Sequence, residues 1–508
     1  MTPLGDSLDV FIRREDAERF IEDVRGNEPA LAKPLRTRSV SSRTRWRSSA
    51  APLYGVRRMS GSGLPHRWAI SAPLTATIAA GLGALVLAFG TYTAVRPADD
   101  SGMDLPIYEE YATMILDGEV PYRDFTMEYP PGALPMFMLP AVAFGDARDA
   151  HWSPPNDAGR RYHRVFDSLV FLLTAAMVTL TALSLAALRR PTRTRALSLA
   201  VVASSPLLIG HIFVERYDAW PAMLTAAAMA AGVRERYRLS GVALGLGAAA
   251  KFYPALLVPV LVIVTARHRG MREAITAAVA AVAAAVLVVL PFALASWPGT
   301  WAALRVQFGG GLQVETLASS VFVMTRHIVM WLEALGLPPP AELAVGANEH
   351  GLGRSILTGP GIDTATMAMN VLLVLVLGSL WISLARSKND RSEDFVRYGA
   401  ATVAVLLVLG TVLSAQYVTW LIPLVPLVGG RRGIVATLCL VVAAALTHLW
   451  FPSLGFYGSY LRDFDVGATT LLLSRNLALL ALALVLVLPA ERVSRPRRST
   501  QTPAGATS

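Results

Sequence analysis

Apolar runs of about 20 residues, the length that carries a helix across a hydrocarbon core of about 30 Å, recur from Trp68 almost to the C-terminus. No single soluble core could bury them. Of the 508 residues 54% are hydrophobic and only 16% charged. In hydrocarbon a helix satisfies its own backbone hydrogen bonds, so the pattern predicts an all-α integral membrane protein. Twelve spans are expected, over residues 68–94, 163–188, 196–214, 218–233, 239–250, 252–266, 272–296, 366–386, 396–414, 417–430, 434–450 and 467–490.

The charges orient these spans. A net charge of +10 would suggest nucleic acid in a soluble protein, but the arginines gather in short connections such as RRPTRTR, RERYR, RHRGMR and GGRRG. That is the positive-inside pattern. It predicts a multi-pass plasma-membrane protein with both termini cytoplasmic and with no nucleic-acid partner. Residues 1–67 carry no cleavable signal pattern and end Arg/Ser-rich (RTRSVSSRTRWRSS). They read as a cytoplasmic, largely disordered tail before a membrane domain over 68–490 and a second tail over 491–508. The lone Cys439 rules out disulfides within the chain and a cysteine-built metal site.

The segment 133–145 (ALPMFMLPAVAFG) would invert every later loop if it crossed. It is therefore expected to be an interfacial or re-entrant helix, as is 317–335 on the same surface. Two long outer loops follow, over about 95–162 and 297–365. From residue 96 to residue 132 nine carboxylates stand against two arginines.

The polar residues that could do chemistry lie in those loops and at span ends. Tyr108, Tyr111 and Ile115 recur at helical spacing between Asp104 and Asp117-Gly118, which predicts a short helix with Asp104 at its N-cap. Asp104 either caps that helix or serves as a general base for an acceptor hydroxyl. Aromatic rings beside carboxylates, as at Tyr122, Glu128 and Tyr129, suit a carbohydrate and equally suit a membrane interface. Arg216 and Asp218 place charge at membrane depth, where it must be paired or face a wet cavity. Lys251, followed by Tyr253, interrupts an apolar hairpin and could neutralise a lipid phosphate or simply snorkel. Gln313, Glu315, Arg326, His327, Gln416, Tyr417 and Trp420 complete the outer polar set, and nothing marks His350 as a metal ligand.

Taken in order, Asp104 with Tyr108, Tyr111, Gly118 and Pro121-Tyr122, then EYPPG, ERYDAWPA, AAAKFYPALLVPV, GLQVETLASS and SAQYVTWLIPL, make the chain resemble glycosyltransferase family 87 over about residues 68–490. The family comprises bacterial GT-C membrane enzymes, some of which use polyprenyl-phosphate mannose. The resemblance implies a GT-C-like bundle of about twelve transmembrane helices, with juxtamembrane helices in the first outer loop and a later one. It also implies a lipid-monophosphate sugar as donor, with no other cofactor and no metal, and a glycolipid or polysaccharide acceptor. Asp104 would be the catalytic base, and the remaining polar set would bind substrate. The long basic tail and the extended 336–365 loop depart from the family pattern. A transporter or flippase is the competing expectation, because many spans with buried charge also suit translocation, and a scaffold of the cell envelope is a third.

Overall fold

The computed structural model describes residues 72–96, 104–144, 157–306, 311–337, 346–350, 354–453 and 456–488. The expected tails, 1–67 and 491–508, lie outside the described residues. The first half of the chain contributes α1 (Ala72–Val95), α2 (Leu105–Leu116), α3 (Leu134–Phe144), α4 (Asp157–Ala187), α5 (Thr192–Ala203), α6 (Ser205–Ile209), α7 (His211–Val214), α8 (Ala219–Gly232), α9 (Tyr237–Ala250), α10 (Val258–Arg269) and α11 (Met271–Ala295). The second half contributes α12 (Trp297–Val306), β1 (Leu312–Gln313), α13 (Leu317–Ala334), β2 (Gly346–His350), β3 (Arg354–Thr358), α14 (Ile362–Arg386), α15 (Arg391–Leu409), α16 (Gly430–His448), α17 (Phe456–Asp463) and α18 (Val466–Val487).

Among the described residues six helices are long and apolar enough to cross a membrane: α1, α4, α11, α14, α16 and α18. The other expected spans are shorter or broken. The run 196–214 is divided into α5, α6 and α7, with Pro206 opening α6 and Gly210 between the last two at φ 69°. A Cβ on Gly210 would meet the His448 ring at 2.2 Å, so both the backbone angle and the packing there require glycine. The run 417–430 is not a spanning helix. It forms two 3-10 segments, Ala415–Leu421 and Val425–Leu427; Pro423 lies between them and Pro426 within the second, and each removes a donor from the helical ladder.

The loop segments expected to lie along the surface are short helices. The eleven-residue α3 contains Pro140 and is too short to span. α13 exposes Val321, Ile328, Met330 and Trp331 while burying Val323 and Val329. An all-α architecture did not anticipate the small antiparallel sheet in the second loop, ordered β1-β3-β2 with Leu312 opposite Leu357 and Asn348 opposite Ile356. It packs with Trp450, Tyr460 and Leu472 in a second apolar cluster.

Close helix contact comes from small residues. On α9, Gly241 and Gly245 press on the α11 backbone: a Cβ at either would lie 2.2 Å or 2.0 Å from the carbonyl oxygens of Ala277 and Ala281. This is a small-xxx-small seam. Gly245→Ala is expected to force the helices apart at an overpacking cost of about 1–3 kcal/mol, seen as a lower unfolding temperature in detergent; an unchanged melt would show that the seam can yield.

Candidate active site

Four helices have ends around one cavity of about 290 Å3. Asp104 precedes α2, Lys251 follows α9, the segment 414–417 follows α15, and Phe451 follows α16. Asp104, Glu128, Tyr129, Arg216, Lys251, Gln313, Glu315, Gln416 and Tyr417 all line it. The sequence holds these residues up to 313 positions apart (104 to 417), and the fold brings them to one space.

Asp104 sits immediately before the helix, but its side chain makes no cap bond. Instead its Oδ2 accepts from the Tyr108 hydroxyl at 3.3 Å and the Tyr129 hydroxyl at 3.2 Å, and the carboxylate pairs with the Arg216 guanidinium. Burial raises both phenols well above their ordinary pKa, so at neutral pH they remain donors to Asp104. Arg216 is partly buried, and burial lowers it to about 10, still protonated at pH 7. Tyr108 is itself held by stacking on Phe137, with ring centres 4.3 Å apart, and by edge contacts to Tyr129 and Tyr217. Beside it, Arg96 at the end of α1 binds Glu215, the neighbour of Arg216, at 2.6 Å and Asp167 of α4 at 3.0 Å.

The EYPPG segment supplies the floor. Glu128 and Tyr129 enter the cavity, and Gly132 lies so close to the end of α9 that a Cβ would be 2.5 Å from the Ala249 carbonyl carbon. The Gly132 oxygen accepts from Trp220 Nε1 at 3.0 Å. That contact fixes the approach to Lys251, whose backbone is extended at φ −157° and ψ 139° between α9 and the 3-10 turn Tyr253–Leu257.

Lys251 Nζ lies 3.1 Å from Asp218 Oδ1 and 3.2 Å from Oδ2. It faces the rings of Tyr217 at 4.6 Å, Tyr417 at 5.1 Å and Trp420 at 5.7 Å. Asp218 also accepts from Trp420 Nε1 at 2.7 Å and is buried. Lys251 is therefore an ammonium set in a fixed aromatic and anionic seat, not one snorkelling to open solvent. On its other side an apolar groove of about 330 Å3 runs past Phe252, Leu256, Leu373, Val374, Trp381 and Leu406. Lys251 and Tyr417 line both spaces.

Gln313 ties its own segment to the stretch after α15. Its Oε1 accepts from the Leu413 N–H at 3.0 Å, and its Nε2 donates to Ser414 Oγ at 3.2 Å.

Several of the residues singled out from sequence do not line the polar cavity, Arg326 among them, which faces the Phe464 ring at 5.6 Å. Tyr108 and Asp218 stand behind its wall as partners of Asp104 and Lys251. Tyr122 donates to the Tyr129 carbonyl oxygen at 2.6 Å. Tyr253 and Trp420, stacked at 4.4 Å, belong to the apolar groove. His327 lies on α13, with Nε2 3.4 Å from Thr469 Oγ1. Sequence reasoning missed Tyr217, Phe451 and Tyr457, whose aromatic character is ordinary in such a chain, and Arg475, which binds Glu315 at 3.2 Å. A lone arginine inside an apolar run was the signal available for it. Among the described residues no group of three or more His, Cys, Asp or Glu side chains is placed to hold a metal ion.

A family model described as glycosyltransferase family 87 matches residues 125–415, more than half of the chain. The chain belongs to glycosyltransferase family 87. The matched region carries Glu128, Arg216, Lys251 and Glu315, while Asp104 precedes it and Arg475 follows it. No curated protein matches the chain. Membership in family 87 makes this a membrane glycosyltransferase, and it displaces the transporter and scaffold expectations.

Proposed function

We propose that this family 87 protein transfers a hexose, mannose in our reading, from a polyprenyl-phosphate sugar to a glycolipid or polysaccharide acceptor at the outer face of the plasma membrane, with its termini in the cytoplasm. The observation that carries the reading is that Lys251 and Tyr417 line both a charged cavity and an apolar groove. A lipid-linked sugar has the same three parts in the same order. Its sugar occupies the polar cavity, its phosphate meets the Lys251 ammonium and the Arg216 guanidinium, and the first isoprene units follow the groove.

In this reading Asp104 takes the proton from the acceptor hydroxyl as that oxygen attacks the anomeric carbon. The bond from that carbon to the phosphate oxygen breaks, and polyprenyl phosphate leaves with the bonding electron pair. Attack from the opposite face inverts the centre, giving an α-linkage from a β-donor. A carboxylate bound by Arg216 and two phenols is a weak base. That suffices where the attacking oxygen loses its proton late, after the leaving group has begun to depart. The larger task is to stabilise the anionic leaving group, and fixed cations in a low-dielectric wall are suited to it.

Val374→Trp, on the exposed side of the groove, tests this arrangement. It should raise KM for a long-chain polyprenyl donor roughly tenfold, about the worth of one or two buried methylenes at ~0.8 kcal/mol each. KM for a short-chain soluble analogue and kcat for both should stay near wild type. Equal changes with both donors would place the lipid elsewhere.

A further inference from the structure

We propose that Arg475 is a positioning residue for Glu315: it holds that side chain as an ionised, fixed carboxylate in the cavity wall, ready to accept a hydroxyl hydrogen bond from the sugar or the acceptor. The proposal rests on the reading above for what Glu315 would bind, but not for how Arg475 holds it.

Arg475 lies within α18, in an otherwise apolar stretch, and is fully buried. A charge there is costly unless it is paired and fully hydrogen-bonded, and this one is. Its Nη1 reaches Glu315 Oε2 at 3.2 Å, and its Nη2 donates to the Glu315 carbonyl oxygen at 2.6 Å and to Asn476 Oδ1 at 2.9 Å. Asn476 Nδ2 in turn donates to the same Glu315 carbonyl oxygen at 3.2 Å and to Ser320 Oγ at 3.1 Å. The guanidinium lies 5.6 Å from the centre of the Trp450 ring. One glutamate is thus gripped at both its side chain and its backbone by a single buried fork.

That grip is oriented toward substrate, because Glu315 lines the cavity with only 7% of its side chain exposed. The charged and titratable groups that face it are Arg475 from α18, Arg216 from the turn after α7 and Tyr460 from α17, with Asp104, Glu128, Lys251 and the phenols of Tyr129, Tyr217, Tyr417 and Tyr457 on the same cavity. Burial raises the Glu315 carboxyl above its ordinary value, while Arg475 and then Arg216 oppose the rise. Removing Arg475 takes away the larger opposing group, so Glu315 would protonate at higher pH and lose its capacity as a pure acceptor.

The test compares wild type, Arg475→Met, Glu315→Gln and the double variant in lipid nanodiscs. The acid limb of kcat/KM against pH, measured with a polyprenyl-phosphate hexose, should move up by about 1–3 pH units in Arg475→Met and recover toward wild type on the alkaline side. Adding Arg475→Met to Glu315→Gln should change little, as expected of residues that act as one unit. A uniform loss at every pH, or an equal further loss in the Glu315→Gln background, would overturn the proposal. Should Arg475→Met fail to fold, the double variant, which leaves no unpaired charge, still decides by comparison with Glu315→Gln alone. An infrared titration needs no substrate: the carboxylate band absent from Glu315→Gln should show a higher midpoint in Arg475→Met. An unmoved midpoint overturns the positioning claim, whereas a moved midpoint without transfer from polyprenyl donors sinks only the functional reading.

Discussion

Asp104→Asn is expected to lower kcat for sugar transfer by about 10²- to 10⁴-fold, the usual contribution of a positioned general base, with donor binding and the unfolding temperature close to wild type. The side chain does not cap its helix, so the substitution removes no local helix support. The amide oxygen keeps the position that accepts from Tyr108 and Tyr129. The lost quantity is the negative charge and its capacity to take a proton, and Arg216 keeps Glu315 and Asp218 as neighbouring anions. A kcat within about twofold of wild type would remove Asp104 from the chemistry, and Glu128, the other carboxylate brought to the cavity by the first outer loop, would become the base to test.

Lys251→Gln should cost about 10²- to 10³-fold in kcat, the scale seen when one donor to a developing oxyanion is removed. The ammonium lines both the charged cavity and the apolar groove, in a seat made by Asp218 and three aromatic rings. A planar guanidinium does not reproduce a compact point charge in that space, so Lys251→Arg should recover little activity. Single-turnover rates with donor already bound would separate the leaving-group effect from weaker binding. A defect confined to donor affinity would make Lys251 a docking residue and no more.

Much of the site was legible in the sequence because polar side chains interrupting apolar runs are costly and so must be paired or used. Arg216 and Lys251 announced themselves in that way, whereas Asp104 stood out by its place before the helical spacing of Tyr108, Tyr111 and Ile115, and Glu315 only as one of the loop polar residues. Their pairing was not legible. Asp218 and Lys251 are 33 positions apart and meet through the packing of α8 on α9, so nothing local shows that Asp218 seats the lysine. The short helix at Asp104 was readable from its spacing and from Asp117-Gly118, where Gly118 takes φ 96°. Asp104 holds the N-cap position as expected, but its carboxylate makes no cap bond and is taken up by Tyr108, Tyr129 and Arg216.

The breaks in the fold were harder to see. A continuous apolar run looks the same whether it crosses as one helix or folds into pieces, as at 196–214 and 415–427. Pro206, Gly210, Pro423 and Pro426 were the local marks. The sheet in the segment before α14 has a two-residue strand at one edge, too short to leave an alternating pattern.

The central claim is that the donor is a lipid-linked sugar whose transfer depends on Asp104. It is tested most directly by incubating the purified protein in nanodiscs with radiolabelled polyprenyl-phosphate hexoses and an envelope lipid extract. The account predicts label in a new glycolipid or polysaccharide fraction with wild type, strongest with the mannosyl donor, and at least about a hundredfold less with Asp104→Asn. Transfer only from a nucleotide sugar, or equal transfer by the two proteins, would contradict it.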